Sequence, residues 1–302
     1  MTTLGPEIAK KWTNYPFGPS LSKVIKNVDY SPHTKTWDDK ALAEFGEDFI
    51  SDLPSDPDWD FDFFAKLLEE LTLMKLGKPV LHLCQTYKNY PVEEDFRTLL
   101  FVASAKMLES DFAGAAQLFI TANKLEPGEA SPAINLSKIY WKLNDLEASL
   151  DWAYRSLELV PNHAHVWKTV ADIFRSTGRN LAELYDHAVR INSFIGVSLY
   201  AHLALGGDAL KKAELYDAIY QKGERDPNFL IDYTGTLGAA NRLGDVVTVT
   251  TDAIKRNENA WQLFIHAAQA SLSMGDEPLG MTFLDIAKKN GAPQDIVASL
   301  AD

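Results

Sequence analysis

The chain has 302 residues, with 42 acidic against 29 basic side chains and a formal net charge of −13 at pH 7. That balance argues against a nonspecific phosphate-binding surface, and so against nucleic acid as a partner. Its composition, 46% apolar and 24% charged, supports a packed interior and excludes a disordered chain, while the single cysteine, Cys84, rules out an intramolecular disulfide and any multi-cysteine zinc or iron–sulfur site.

Residues 1–56 carry no repeat. Trp12, Tyr15, Phe17, Tyr30 and Trp37 stand among prolines, glycines and lysines, the composition of an extended arm with one helix near Asp38–Ile50. Two uses of those aromatics are open: an irregular cap packed on the following helices, or a surface for another subunit. Met1–Lys23 lacks the apolar core of a secretory signal, and no apolar run reaches the ~18 residues that cross a bilayer, so no transmembrane helix and a cytoplasmic location are expected. From Glu47 to Asp62 there are seven acidic residues and no Lys or Arg, together with Phe49, Trp59 and Phe61. The segment has the composition of a groove ligand, but Asp56, Asp58, Asp60 and Asp62 also lie where a helix starts, which favours a linker into it. Cys84 follows in an apolar helical stretch and is expected as a small core residue.

A 34-residue register aligns three segments that begin at Phe96, Ala130 and Ala164. Leu99, Ala133 and Trp167 share one position, Val102, Leu136 and Val170 the next, and the small residues Ala103, Ser137 and Ala171 a third, where two helix backbones can approach closely. Ser110, Asn144 and Gly178 mark a turn between antiparallel helices. Phe112 and Leu146 open second helices, Ala115 with Ser149 and Ala122 with Ser156 repeat the small-residue pattern, and Pro127 and Pro161 close two units. Turn markers at Gly77, Gly207, Gly244 and Gly275 extend the series to seven, so about seven helix pairs are expected. The unit after Gly178 has its apolar residues about two positions early, and the unit around Gly207 rests on Pro227 and on Leu210, Ala213, Leu215 and Tyr216. Gly291 and Pro293 frame a last short helix suited to capping the open end.

The segment Ala105–Pro127, with its turn, aromatic, alanine and terminal proline in order, resembles the second half of a tetratricopeptide repeat, and Ala133–Pro161 is similar. The resemblance implies an all-α, right-handed superhelical solenoid over residues 57–302, preceded by the 1–56 arm. It also implies that first helices line a concave face, which would present Arg97, Leu100, Lys138, Trp141, Lys142, Lys168, Asp172 and Arg175. Five of these are basic and one is acidic, the reverse of the whole chain, which suits an acidic or carboxylate-ended peptide, with Trp141 as an apolar anchor. Solvation of an ordinary exposed helix face accounts for the same lysines. One subfamily grips the carboxylates of chaperone termini with lysines, asparagines and an arginine. Here only Asn135 fits that clamp, while Leu100, Ser104, His165 and Thr169 occupy its other places, so an ordinary chaperone adaptor is not expected.

No phosphate-cradling loop, H-E-x-x-H helix or G-x-S-x-G elbow occurs. His163 and His165, two apart at a helix start, do not share a face and make a poor metal pair. The expectation is therefore a non-catalytic scaffold without cofactor that binds a protein or peptide. The alternatives are a structural subunit of a secretion, envelope-biogenesis or motor assembly docking through its arm or convex face, and an accessory subunit of an enzyme encoded elsewhere.

Overall fold

The structure is a computed structural model that describes residues 46–47, 49–51, 53 and 59–301. Most of the 1–56 arm, including Trp12, Tyr15, Phe17, Tyr30 and Trp37, lies outside the described residues, as do Asp56 and Asp58. The chain forms two compact units, Met1–Leu159 and Val160–Asp302. Among the described residues it is all-α.

In the first unit, helices α1 (Phe61–Leu73) and α2 (Gly77–Thr86), α3 (Phe96–Leu108) and α4 (Phe112–Leu125), and α5 (Ala130–Lys142) and α6 (Leu146–Leu159) make three successive pairs. The second unit holds α7 (Ala164–Thr177) and α8 (Leu181–Arg190), α9 (Phe194–Leu205) and α10 (Ala209–Gln221), α11 (Pro227–Ala239) and α12 (Leu243–Lys255), α13 (Trp261–Ser273) and α14 (Glu277–Lys289), then α15 (Gln294–Ala301). From Phe61 onward, the described residues form seven helix pairs in series and a terminal helix, which makes the chain a helical repeat solenoid.

A common device closes the first helix of most pairs. At the α3–α4 turn Ser110 is left-handed, with φ 63°, and the Asp111 N–H donates to the Lys106 carbonyl at 2.8 Å. Asn144 (φ 60°), Asn241 (φ 57°) and Gly275 (φ 81°) repeat it, with N–H donation from Asp145 to Tyr140, Arg242 to Leu237 and Asp276 to Ser271 at 2.8–2.9 Å. This is the Schellman closure, which satisfies carbonyls that the helix leaves open. The side chains of Asp111, Asp145 and Asp276 then cap the second helix by accepting from the N–H groups of Gly114, Ala148 and Leu279.

Three of the glycines expected to mark turns do not take the strained position. Gly77 and Gly244 lie inside α2 and α12, and the left-handed residues are Lys75 and Asn241; next to Gly207 it is Gly206 that has positive φ. Asparagine enters the left-handed region at little cost, so it substitutes for glycine there. Asn241 therefore lies 34 residues before Gly275, and the irregular spacing suggested by Gly244 disappears.

Packing follows the small-residue pattern. Ala103, Ala115, Ala122, Ser149 and Ser156 are completely buried, and the Ser149 hydroxyl donates to the Ser137 carbonyl at 2.8 Å, tying α6 to α5. Phe49, Trp59 and Phe61 belong to the first core with Phe64, Leu67 and Leu68, so the described part of the acidic segment leads into α1. Asp60 caps that helix, its carboxylate accepting from the Phe63 N–H at 2.7 Å. Cys84 is partly buried against the same core, and burial pushes its thiol up to about 12. In the second unit Tyr216, Phe229 and Tyr233 centre one core and Phe264, Phe283 and Leu284 another, onto which Ile296, Val297 and Leu300 of α15 pack. Leu210, expected inward on α10, is instead exposed, while Ala213 and Tyr216 are buried.

Candidate functional site

Of the eight residues expected in a groove, Arg97, Leu100, Lys138, Trp141 and Lys142 belong to the first unit and Lys168, Asp172 and Arg175 to the second. On α5 the spacing of Lys138, Trp141 and Lys142 brings all three to one face. Both lysines are exposed, the indole is half-buried between them, and neither ammonium has a carboxylate partner among the described residues. Leu100 packs at the edge of the α3–α5 core. Arg97 is exposed but shared between Asp62 at 3.6 Å and Asp95 at 3.8 Å, which reduces its pull on a ligand.

On α7, Lys168 is exposed and also lacks an acidic partner among the described residues, whereas Arg175 lies 3.6 Å from Asp172 one turn away. The positive charge thus concentrates on α5. His163 is engaged as the N-cap of α7, its Nδ1 accepting from the Val166 N–H at 3.3 Å. Among the described residues no group of three or more His, Cys, Asp or Glu side chains is placed to hold a metal ion, and no helix is long and apolar enough to cross a membrane.

Two arrangements in the second unit escape the sequence pattern. In the first, the Tyr216 hydroxyl of α10 donates to Asp232 of α11 and lies 2.5 Å from the Ser198 hydroxyl of α9, while Ser198 and Lys212 also donate to Asp232 at 2.8 and 3.0 Å. Burial by itself would raise the Asp232 carboxyl, but these three donors outweigh it and hold it below the ordinary carboxylate value. Burial and the same carboxylate push the Tyr216 phenol up. Beside it, Tyr233 donates to Asp217 at 2.5 Å and Arg242 bridges Asp217 and Asp245 at 2.6 and 2.7 Å. Tyr220 donates to Asp252 at 2.7 Å, under the Arg225 guanidinium 3.7 Å from its ring centre. Every polar group here is engaged with a neighbour, which makes the arrangement a clasp joining four helices.

The second is a notch of about 230 Å³ between α11 and α13. Gly235 and Gly238 leave it open, and His266 lines it, with Nδ1 2.9 Å from the Thr234 hydroxyl. Ser198, Asp232 and His266 are 34 residues apart, one repeat position on three successive first helices. That spacing marks these three residues in the sequence, but not the partners they meet.

No protein-family model matches the sequence. No curated protein matches it either. Among solved structures, the chain is similar to a tetratricopeptide repeat protein from Parabacteroides merdae, at 9% identity and a TM-score of 0.35, covering 80% of this chain and 97% of that one. It is also similar to yeast Tom70, at 12% identity and a TM-score of 0.40, covering 95% of this chain and 63% of the other. A third is the TPR2AB domain of yeast Sti1 in a pHSP90 complex, at 13% identity and a TM-score of 0.32, covering 80% of this chain and 96% of that one. Identities and scores this low carry nothing about partner or activity. The chain resembles tetratricopeptide repeat proteins, and what carries the resemblance is its own succession of helix pairs, Schellman turns and small-residue contacts at a 34-residue repeat.

Proposed function

We propose that this chain is a non-catalytic scaffold that holds a protein or peptide partner on its first-helix faces, and that the partner presents acidic side chains or a terminal carboxylate to α5. One observation carries the proposal: on a chain of net charge −13, Lys138 and Lys142 flank a half-buried Trp141 on one helix face without a carboxylate among the described residues to neutralise them. Two ammonium groups beside an indole offer charge and an apolar anchor within one footprint, a combination that favours a small number of strong contacts. Within the first unit, Leu100 adds apolar surface on α3 and Arg97 a charge shared with Asp62 and Asp95; in the second unit Lys168 is exposed on α7, and Arg175 is partly neutralised by Asp172.

The test is affinity capture with the whole chain, comparing the unaltered protein with a Lys138→Glu, Lys142→Glu double variant and with Trp141→Ala. A partner that is lost from both variants, while circular dichroism and melting temperature hold, supports the proposal. Retention of the same partner by the charge-reversed variant overturns it.

A further inference from the structure

The notch between α11 and α13 has a chemistry that the α5 face lacks. The Thr234 hydroxyl can give only one proton, and the carbonyls of Leu230 at 2.8 Å and Ile231 at 3.2 Å, one turn back on its own helix, take it. With that proton on a carbonyl its oxygen is free to accept at 2.9 Å from His266, the pairing of a neutral imidazole protonated on Nδ1. In that tautomer Nε2 is a bare lone pair, and it has no hydrogen-bond partner among the described residues. Burial pushes the His266 imidazole below its ordinary value, which keeps that lone pair available at neutral pH.

The walls decide what such an acceptor can take. A Cβ at Gly235 would come within 3.3 Å of His266 Cε1, so the ring lies against bare backbone, and a Cβ at Gly238 would meet nothing within 4 Å. Ala239, Leu243 and Ala270 complete an apolar lining, with Gln269 and Ser273 exposed at the rim and no charged side chain in it. A volume of about 230 Å³ is below the roughly 300–1,000 Å³ of drug-sized pockets and suits one side chain. An ammonium or guanidinium would bring several donors to a single acceptor, and a carboxamide carbonyl would find a donor only at the rim, in Gln269 and Ser273. A phenol or an indole brings one donor on a flat apolar ring.

We infer that the α11–α13 notch is a binding site for an aromatic side chain that carries a single hydrogen-bond donor, a tyrosine or tryptophan of a partner segment, with His266 Nε2 as the acceptor. The proposal rests on the scaffold role only in taking the ring from a partner. The site itself is independent of the α5 lysines, and it is tested without any partner.

The experiment is a heteronuclear NMR titration of the whole chain with N-acetyl-tyrosinamide, N-acetyl-tryptophanamide and N-acetyl-phenylalaninamide. The imidazole nitrogen shifts of the free protein should report a protonated Nδ1 and a bare Nε2. The two donor-bearing amides should move the His266 signals in a saturable manner at millimolar concentration, and the phenylalanine amide should bind at least about fivefold more weakly, the worth of one hydrogen bond. Gly238→Leu, whose Cβ would meet nothing within 4 Å, should fill the notch and abolish the response with the melting temperature held. His266→Phe keeps the ring and should erase the preference for a donor. Equal affinity for all three amides, absence of any shift at His266, or an unchanged response in Gly238→Leu would each overturn the assignment.

Discussion

At the scale of the residue, two glycines show how differently one residue type is used. Gly196, in the first turn of α9, sits where a Cβ would run into Trp167 Cζ2 and come within 2.6 Å of the Ala188 methyl, both of which are buried. The indole cannot retreat easily, because its Nε1–H donates to the Pro161 carbonyl at 2.7 Å, which also accepts from the Ser193 hydroxyl at 2.6 Å. Gly196→Ala should therefore overpack the α7–α8–α9 contact and destabilise the protein by about 1–3 kcal/mol in urea unfolding. At Gly244, early in α12, an added methyl would meet nothing within 4 Å, and the backbone has no positive φ. Gly244→Ala should stabilise by up to about 1 kcal/mol, since it removes only the entropy that glycine loses in a helix. The opposite signs form the test. Two variants that shift the midpoint alike would show that the close approach at Gly196 is wrong.

At the scale of the element, the clasp across α9 to α12 makes stability depend on pH. The folded-state value of Asp232 is depressed, so its contribution is complete above the ordinary carboxylate value of about 3.9 and is lost as the pH falls through the lower folded value. The phenols of Tyr216 and Tyr233 are raised, first by burial and then by the carboxylates they face, so their contribution is complete below about 10 and erodes above it, as the unfolded chain ionises first. The gap in melting temperature between the unaltered protein and Asp232→Asn should thus be steady from pH 7 down to about 5 and close below about 4. A gap that widens in acid would contradict the Tyr216–Asp232–Lys212 arrangement. Little of this clasp is legible before folding. Spacing identifies Ala103, Ser137 and Ala171 as contact residues because a helix pair needs small side chains at fixed intervals, and it finds Ser110 and Asn144 because turns need residues that tolerate left-handed backbone. It passes over Asn241 in favour of the nearby Gly244, although both kinds of residue can enter that region. The Tyr216 and Tyr220 hydroxyls meet carboxylates 16 and 32 residues ahead, on other helices, and no local periodicity encodes a contact that only packing creates.

At the scale of the whole molecule, charge sets a test of partner binding that no single contact supplies. A chain of net charge −13 repels an acidic partner at long range, while Lys138 and Lys142 attract it at contact. The two effects separate with ionic strength, because the Debye length shrinks from about 30 Å at 0.01 M to about 8 Å at 0.15 M. Lysines that touch the partner lie inside either length, but their exposure means that added salt still weakens them. For the unaltered protein the contact term should dominate at moderate salt, so the partner's affinity falls as salt rises from physiological strength. In a Lys138→Gln, Lys142→Gln variant the main contact term is gone, and the diffuse repulsion is the larger part of what remains for salt to screen. Any residual affinity, held by Trp141 and its apolar surroundings, should then stay level or rise with salt. Calorimetry of the captured partner over a salt series reads both slopes. An affinity of the unaltered protein that rises with salt would mean that the lysines of α5 face water alone, and that the partner is held by uncharged surfaces elsewhere.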